Sequence, residues 1–201
     1  MNRDTARDRG PDGIRCFWAI ELPHHARAAL EQTRSMARSQ GIRAGWTSPA
    51  TYHLTLCFMG RAAPGAVRVM TERVETAVAV SRPVILRLAT RGVGAFPGMA
   101  RPAVCWAGVD VLSGDLSALR SLVFEAAREA GCGPDGKAFH PHVTLARSRS
   151  PEESRNLARW LGEAGHPVFG EPFQVERLVL FQSELRPEGA RHTPLAEVSL
   201  L

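Results

Sequence analysis

No run in this chain approaches the ~20 unbroken apolar residues that a membrane-spanning helix needs, so no such span is expected. The N-terminus, MNRDTARDRGPDG, has no apolar stretch behind its charges and does not read as a secretory signal. Its mixture of Arg, Asp, Gly and Pro reads as a disordered tail over residues 1–13. Cysteine is sparse: Cys16, Cys57, Cys105 and Cys132 are widely spaced, with no CxxC pair. The first three sit in apolar, strand-like runs, where a free thiol behaves as a small hydrophobe. This argues against a disulfide framework and suits a reducing compartment, so a cytoplasmic location is expected. Lysine is nearly absent. Lys137 is the exception in a set of 25 basic residues that is otherwise all Arg, set against 20 acids for a net charge of +5. Arg forks suit phosphate oxygens, which permits a polyanionic partner without requiring one. The glycine-rich GVGAFPG at 92–98 lacks the GKS/T ending of a phosphate-cradling P-loop, so ATP use is not supported.

What is present is a globular composition, 44% hydrophobic and 22% charged. Strands are expected at 14–20, around 51–60, 83–90, 103–111 and 138–148, then 173–181 and 194–201. Helices are expected at 24–40, 64–80, 114–130 and 151–161. Residues 91–102 read as a Gly/Pro-rich loop. The order β-α-β-α-β-β-α-β-α-β-β fits an α+β fold better than a doubly wound sheet.

One pattern stands out. Residues 53–56 are His-Leu-Thr-Leu and residues 142–145 are His-Val-Thr-Leu, 89 residues apart, each in an expected strand. This reads as an internal duplication of a β-α-β unit. In a strand, positions i and i+2 share a face, so His53 points with Thr55 and His142 with Thr144. Tyr52, Leu54, Leu56, Phe58, Val143 and Leu145 then belong to the opposite, core face. By the same parity Arg147 would leave on the Val143/Leu145 side. If the two units pack about a pseudo-twofold axis, two imidazoles and two hydroxyls meet at one cleft. One neutral imidazole can take a proton from water while a protonated one gives its proton to a departing oxygen. The threonines can donate hydrogen bonds to nonbridging phosphate oxygens, where charge develops. A strained cyclic phosphate suits such a metal-free site. His140 and His142 form an HPH triplet without further ligands at familiar spacing, so no metal is expected. Trp46 and Phe96 read first as packing residues and second as platforms for a nucleobase. His24, His25 and His166 read as surface or loop residues.

These residues, with Arg15-Cys16-Phe17-Trp18-Ala19 before Pro23, GAFP at 94–97, RPAVCWAGV at 101–109, FHPHVTLAR at 139–147 and the late Leu180, Ser183 and Leu185, resemble a known family. It is the RNA 2',3'-cyclic phosphodiesterase, or 2'-5' RNA ligase (LigT-like), family of the 2H phosphoesterase superfamily. The resemblance implies a single bilobal α+β domain over residues 14–201, with mainly antiparallel sheets flanking a central cleft. It implies no cofactor. It implies His53 as proton donor to the leaving 3'-oxygen, His142 as the base that activates water, and an RNA 2'-phosphate as product. Thr55, Thr144 and Arg147 match the family's phosphate-binding residues. His192 departs from the pattern, standing where many relatives have tyrosine, which bears on substrate preference. The expected partner is RNA with a 2',3'-cyclic phosphate end or a small cyclic nucleotide, and a monomer is expected. Two alternatives stand beside hydrolysis: ATP-independent 2'-5' ligation at the same site, and a non-catalytic module that binds RNA ends.

Overall fold

The computed structural model describes residues 13–81, 84–134, 138–165, 168–186 and 189–201. The expected tail, apart from Gly13, and His166 lie outside the described residues. The elements run β1 (Ile14–Glu21), α1 (His24–Ser39), β2 (Gly45–Trp46), a 3-10 turn (Pro49–Thr51), β3 (His53–Ala62), α2 (Pro64–Ser81), β4 (Arg87–Phe96) and β5 (Val104–Ser113). After these come α3 (Leu116–Glu129), β6 (His142–Arg147), α4 (Pro151–Ala164), β7 (Val168–Gln174), β8 (Arg177–Arg186) and β9 (Gly189–Ser199).

The helices form where apolar residues recur on one face: α3 buries Leu116, Leu119, Val123, Ala126 and Ala127. Side-chain caps start two of them. Asp115 accepts from the Ala118 N–H at 2.9 Å, and Ser150 from the Glu153 N–H at 3.2 Å. Pro151 opens α4 at a position whose N–H has no helical partner anyway.

The strands form one antiparallel sheet in the order β7-β4-β5-β6-β3-β1-β8-β9, with β2 added on β6. It curls into a half-barrel. It is built from two four-stranded halves, β3-β1-β8-β9 and β6-β5-β4-β7, and β3 meets β6 where Leu54 pairs with Val143. Each half contains one duplicated unit, β1-α1-β3 or β5-α3-β6. Strand β4 follows the first unit in the chain yet pairs with β5, and β8 follows the second yet pairs with β1. The repeats therefore exchange strands, and one hydrophobic core runs under both, including Trp18, Ile20, Leu54, Leu56, Val143, Leu145, Leu178 and Leu180. Alternate residues of β1 and β8, namely Phe17, Ala19, Val179 and Phe181, form a small second cluster on the opposite face.

Three sequence expectations change. The stretch 173–181 is not one strand: the chain turns at Val175–Glu176, between β7 and β8. Apolar alternation could not reveal this corner, because Val175 stays buried through it, its N–H bonded to the Leu86 carbonyl at 2.9 Å. The last strand begins at Gly189, not at residue 194. The expected loop from residue 91 is strand as far as Phe96. Its glycines serve the sheet: Gly92 takes φ 68° at a bulge opposite β5, and Gly94 lies directly under the indole of Trp106.

A Cβ on Gly94 would fall inside the van der Waals envelope of that indole. Gly94→Val should therefore displace Trp106 and cost about 1–3 kcal/mol, the usual range for overpacking. A urea titration reads the change, and an unmoved midpoint would contradict the close approach.

Candidate active site

The two motif strands carry the same local irregularity. Opposite β1, Thr55 pairs with Ala19 and Cys57 with Trp18, so Leu56 is an extra residue on β3. Opposite β5, Thr144 pairs with Trp106 and Ala146 with Cys105, so Leu145 is an extra residue on β6. These bulges fall at equivalent places, 89 residues apart, and each reverses the side-chain parity beyond it. Leu54, Leu56 and Cys57 are all buried, as are Val143, Leu145 and Ala146.

This corrects two expectations. Phe58 does not point into the core; it stands on the His53/Thr55 side, 46% exposed, with its ring 5.5 Å from that of Phe17. Arg147, its repeat equivalent, emerges on the His142/Thr144 side and has no need to reach around the strand. Its charge acts on His142.

Pairing Leu54 with Val143 sets His53 across from Thr144 and Thr55 across from His142. The two imidazoles thus occupy a diagonal, which in a regular antiparallel pair spans roughly 7–8 Å. His53, Thr55, His142 and Thr144 are all partly buried, while the leucines and valine between them are fully so.

Each imidazole is oriented by backbone. His53 Nδ1 lies 2.8 Å from the Thr51 carbonyl oxygen, and His142 Nδ1 lies 2.6 Å from that of His140. The acceptors are again 89 residues apart. A carbonyl oxygen can only accept, so Nδ1 carries the proton in both rings and each neutral ring keeps its lone pair on Nε2. The 3-10 turn at Pro49–Thr51 presents the first carbonyl, and Pro141 follows the second.

The surroundings then diverge. His53 packs on Phe17 with ring centroids 4.8 Å apart, and His192 from β9 stands edge-on to it at 5.2 Å. His142 meets Phe96 edge-on at 5.1 Å, with Trp106 at 6.1 Å. Burial pushes the His53 pKa down to about 4; the bond to Thr51 opposes this, while charges on His192 and His142 add to it. Burial also lowers His142, with its bond to the His140 carbonyl opposing and the charges of Arg147 and His140 reinforcing. Burial lowers His192 as well.

Of the other residues weighed from sequence, Trp46 packs against Trp160 at 5.8 Å and donates its indole N–H to the Ile42 carbonyl, which makes it a packing residue. Phe96 stands in the cleft beside His142. His24 and His25 are exposed. Among the described residues no three His, Cys, Asp or Glu side chains group as a metal site would require, and no helix is long and apolar enough to cross a membrane. Sequence reasoning missed the Thr51 and His140 carbonyls, although the shared 89-residue offset could have found them. It had no means of bringing His192 to His53, since β9 reaches that place only through β8.

The sequence model of the 2'-5' RNA ligase superfamily matches residues 22–186. The chain is 31% identical over 169 residues to the RNA 2',3'-cyclic phosphodiesterase of Aeropyrum pernix, covering 84% of this chain and 93% of that one. It is 32% identical over 194 residues to the RNA 2',3'-cyclic phosphodiesterase of Thermus thermophilus, covering 93% and 90%. A crystal structure of a protein from Thermus thermophilus superposes with a TM-score of 0.72 at 28% identity, over 93% of this chain and 98% of that chain. Fold and paired motifs together define a 2H phosphoesterase. Within that class the chain belongs to the 2'-5' RNA ligase superfamily.

The depressed histidines link stability to pH. His53 binds its proton at about 4 when folded but near 6.5 when unfolded, so between these values the unfolded chain holds more protons. Stability is full above pH 6.5 and is lost as pH falls toward 4. Urea midpoints across this window should drop with falling pH, and drop less steeply in His53→Gln. An equal slope in both proteins would show that His53 is not held neutral by the fold.

Proposed function

We propose that this chain hydrolyses 2',3'-cyclic phosphate ends of RNA to 2'-phosphates, with two histidines and no metal. The observation that carries the reading is the pair of Nδ1–carbonyl bonds, which leave one Nε2 on each motif strand for the substrate. His142 Nε2 takes a proton from water, the water oxygen attacks phosphorus, and the bond to O3' breaks. His53 Nε2–H delivers its proton to that oxygen. Thr55 and Thr144 donate to the nonbridging oxygens, and the Arg147 guanidinium offsets charge gathering there. The division of roles follows the family resemblance. The names of the relatives support the activity.

Burial in the free protein keeps His53 neutral near pH 7, whereas its role needs the charged form. A phosphodiester in the cleft reverses this balance: a negative charge beside the imidazoles favours their protonation and raises both pKa values. The unit proposed to do this is the whole of residues 14–201, working as a cytoplasmic monomer. The four free cysteines suit a reducing compartment. Run backwards, the same groups would join RNA ends 2'-5', but dilute water favours hydrolysis. A module that only binds RNA would not need two matched Nε2 atoms.

In EDTA, the purified chain should open an oligonucleotide ending in a 2',3'-cyclic phosphate and leave a 2'-phosphate. His53→Ala and His142→Ala should each lose at least about 10²-fold, the lower range for general acid–base assistance. Full activity in either variant, or activity abolished by EDTA, rules the mechanism out. The pH profile is a second check. The base must be neutral, so kcat/KM falls as pH drops through the lowered pKa of His142. The acid must be protonated, so kcat/KM also falls as pH rises above that of His53, about 4 in the free protein. The bell for kcat/KM should centre below pH 6.5, the ordinary histidine value, and that for kcat at higher pH. A rate flat from about pH 5 to 9 would contradict both roles.

A further inference from the structure

Beyond the seam residues, β3 and β6 are tied across the two halves in different ways. On β6, the carbonyl of the bulge residue Leu145 accepts from the backbone N–H of Thr47 at 2.9 Å, just past β2, which pairs with Ala146 and Arg147. Backbone from the first repeat therefore holds the strand of the second. On β3, the equivalent bulge carbonyl, that of Leu56, accepts instead from a side chain: Arg120 Nε, at 3.2 Å. Arg120 belongs to α3, the helix between β5 and β6, so this bond reaches from the second repeat to the first.

The same guanidinium has another contact. It lies over the ring of Phe139 at 4.9 Å from the centroid, and 5.7 Å from that of Phe124. Phe139 immediately precedes His140, whose carbonyl accepts the His142 Nδ1–H. One planar cation thus grips β3 a residue beyond Thr55 and also grips the segment that orients His142.

We propose that Arg120 is a positioning residue that sets the spacing and orientation of His142 relative to His53 by bridging Leu56 on one motif strand and Phe139 ahead of the other. This rests on the two-histidine reading above. Arg120 has no part in the proton transfers. Its effect passes through the His140 carbonyl and the β3 bulge, and a misplacement of ~1 Å in a site of this kind costs about 10²-fold in rate. Lysine can supply a donor and a cation at the same place but not the planar face that lies on Phe139.

The test compares Arg120→Met, which keeps an apolar stem, with Arg120→Lys, using steady-state kinetics on the cyclic-phosphate oligonucleotide, thermal melts and 15N spectra of the histidine rings. Arg120→Met should melt cooperatively, lose roughly 10–10²-fold in kcat with KM little changed, and show His142 averaging between tautomers while His53 stays in the Nδ1–H form. Arg120→Lys should recover only part of the rate, with a kcat between those of Arg120→Met and the wild type. Wild-type kcat with an unchanged His142 tautomer in Arg120→Met would overturn the proposal. So would equal disturbance of both histidines, which marks general loosening. If Arg120→Met does not fold, Arg120→Lys decides: an intermediate kcat with a partly averaged His142 supports the assignment, and wild-type values for both overturn it. The ring spectra need no substrate. An inactive wild-type chain whose His142 still responds to Arg120 would sink the proposed hydrolysis and leave the positioning role standing.

Discussion

The cleft depends on a backbone pairing between Leu54 and Val143, where the two halves of the sheet meet. Because side chains alternate across a strand, that one register places both His/Thr pairs on the same side and both leucine/valine sets in the core. A shift by one residue would exchange them, burying imidazoles and exposing the core. Full burial of Leu54, Leu56, Val143 and Leu145 makes such a slip costly, at about 25 cal/mol for each Å² of apolar surface returned to water. The position of the candidate site is thus held by hydrophobic burial on the face away from it.

The repeated bulge gives this frame its second property. It reverses parity after Thr55 and after Thr144, so the residues that follow turn back toward the cleft. The backbone is near-symmetric and the substituents are not. Phe58 corresponds to Arg147 in the repeat, Ala19 corresponds to Trp106, and Glu21, paired with His53, corresponds to Gly108, paired with His142. A pseudo-twofold scaffold therefore carries a site whose halves differ in charge, with Glu21 paired with His53 and the Arg147 charge acting on His142. Chemistry that needs an acid on one side and a base on the other requires that kind of inequality.

Much of this is legible in the residues alone. The HxT spacing assigns His53, Thr55, His142 and Thr144 to a shared face, since period two is a local property of extended chain. The helices can be read from their spacing and from Gly and Pro at their ends. The bulges cannot be read, because Leu56-Cys57 and Leu145-Ala146 are apolar pairs that alternation treats as noise. That is why period two, continued past them, puts Phe58 and Arg147 on the wrong faces. The corner at Val175 escapes for a related reason: a buried valine looks the same in a strand and in a turn whose N–H is bonded to a neighbouring strand.

By itself, the sequence determined that His53 shares a strand face with Thr55 and His142 with Thr144, that the unit is duplicated, and that the folded chain is a mixture of helices and antiparallel strands. These follow from backbone periodicity and composition, which act over a few residues. Tertiary structure alone decided the register of β3 on β6, the arrival of His192 beside His53, the reach of Arg120 across the seam, and the depression of the histidine pKa values. Each of those depends on groups distant in the chain, joined by packing and by loss of water, and no local pattern records such contacts.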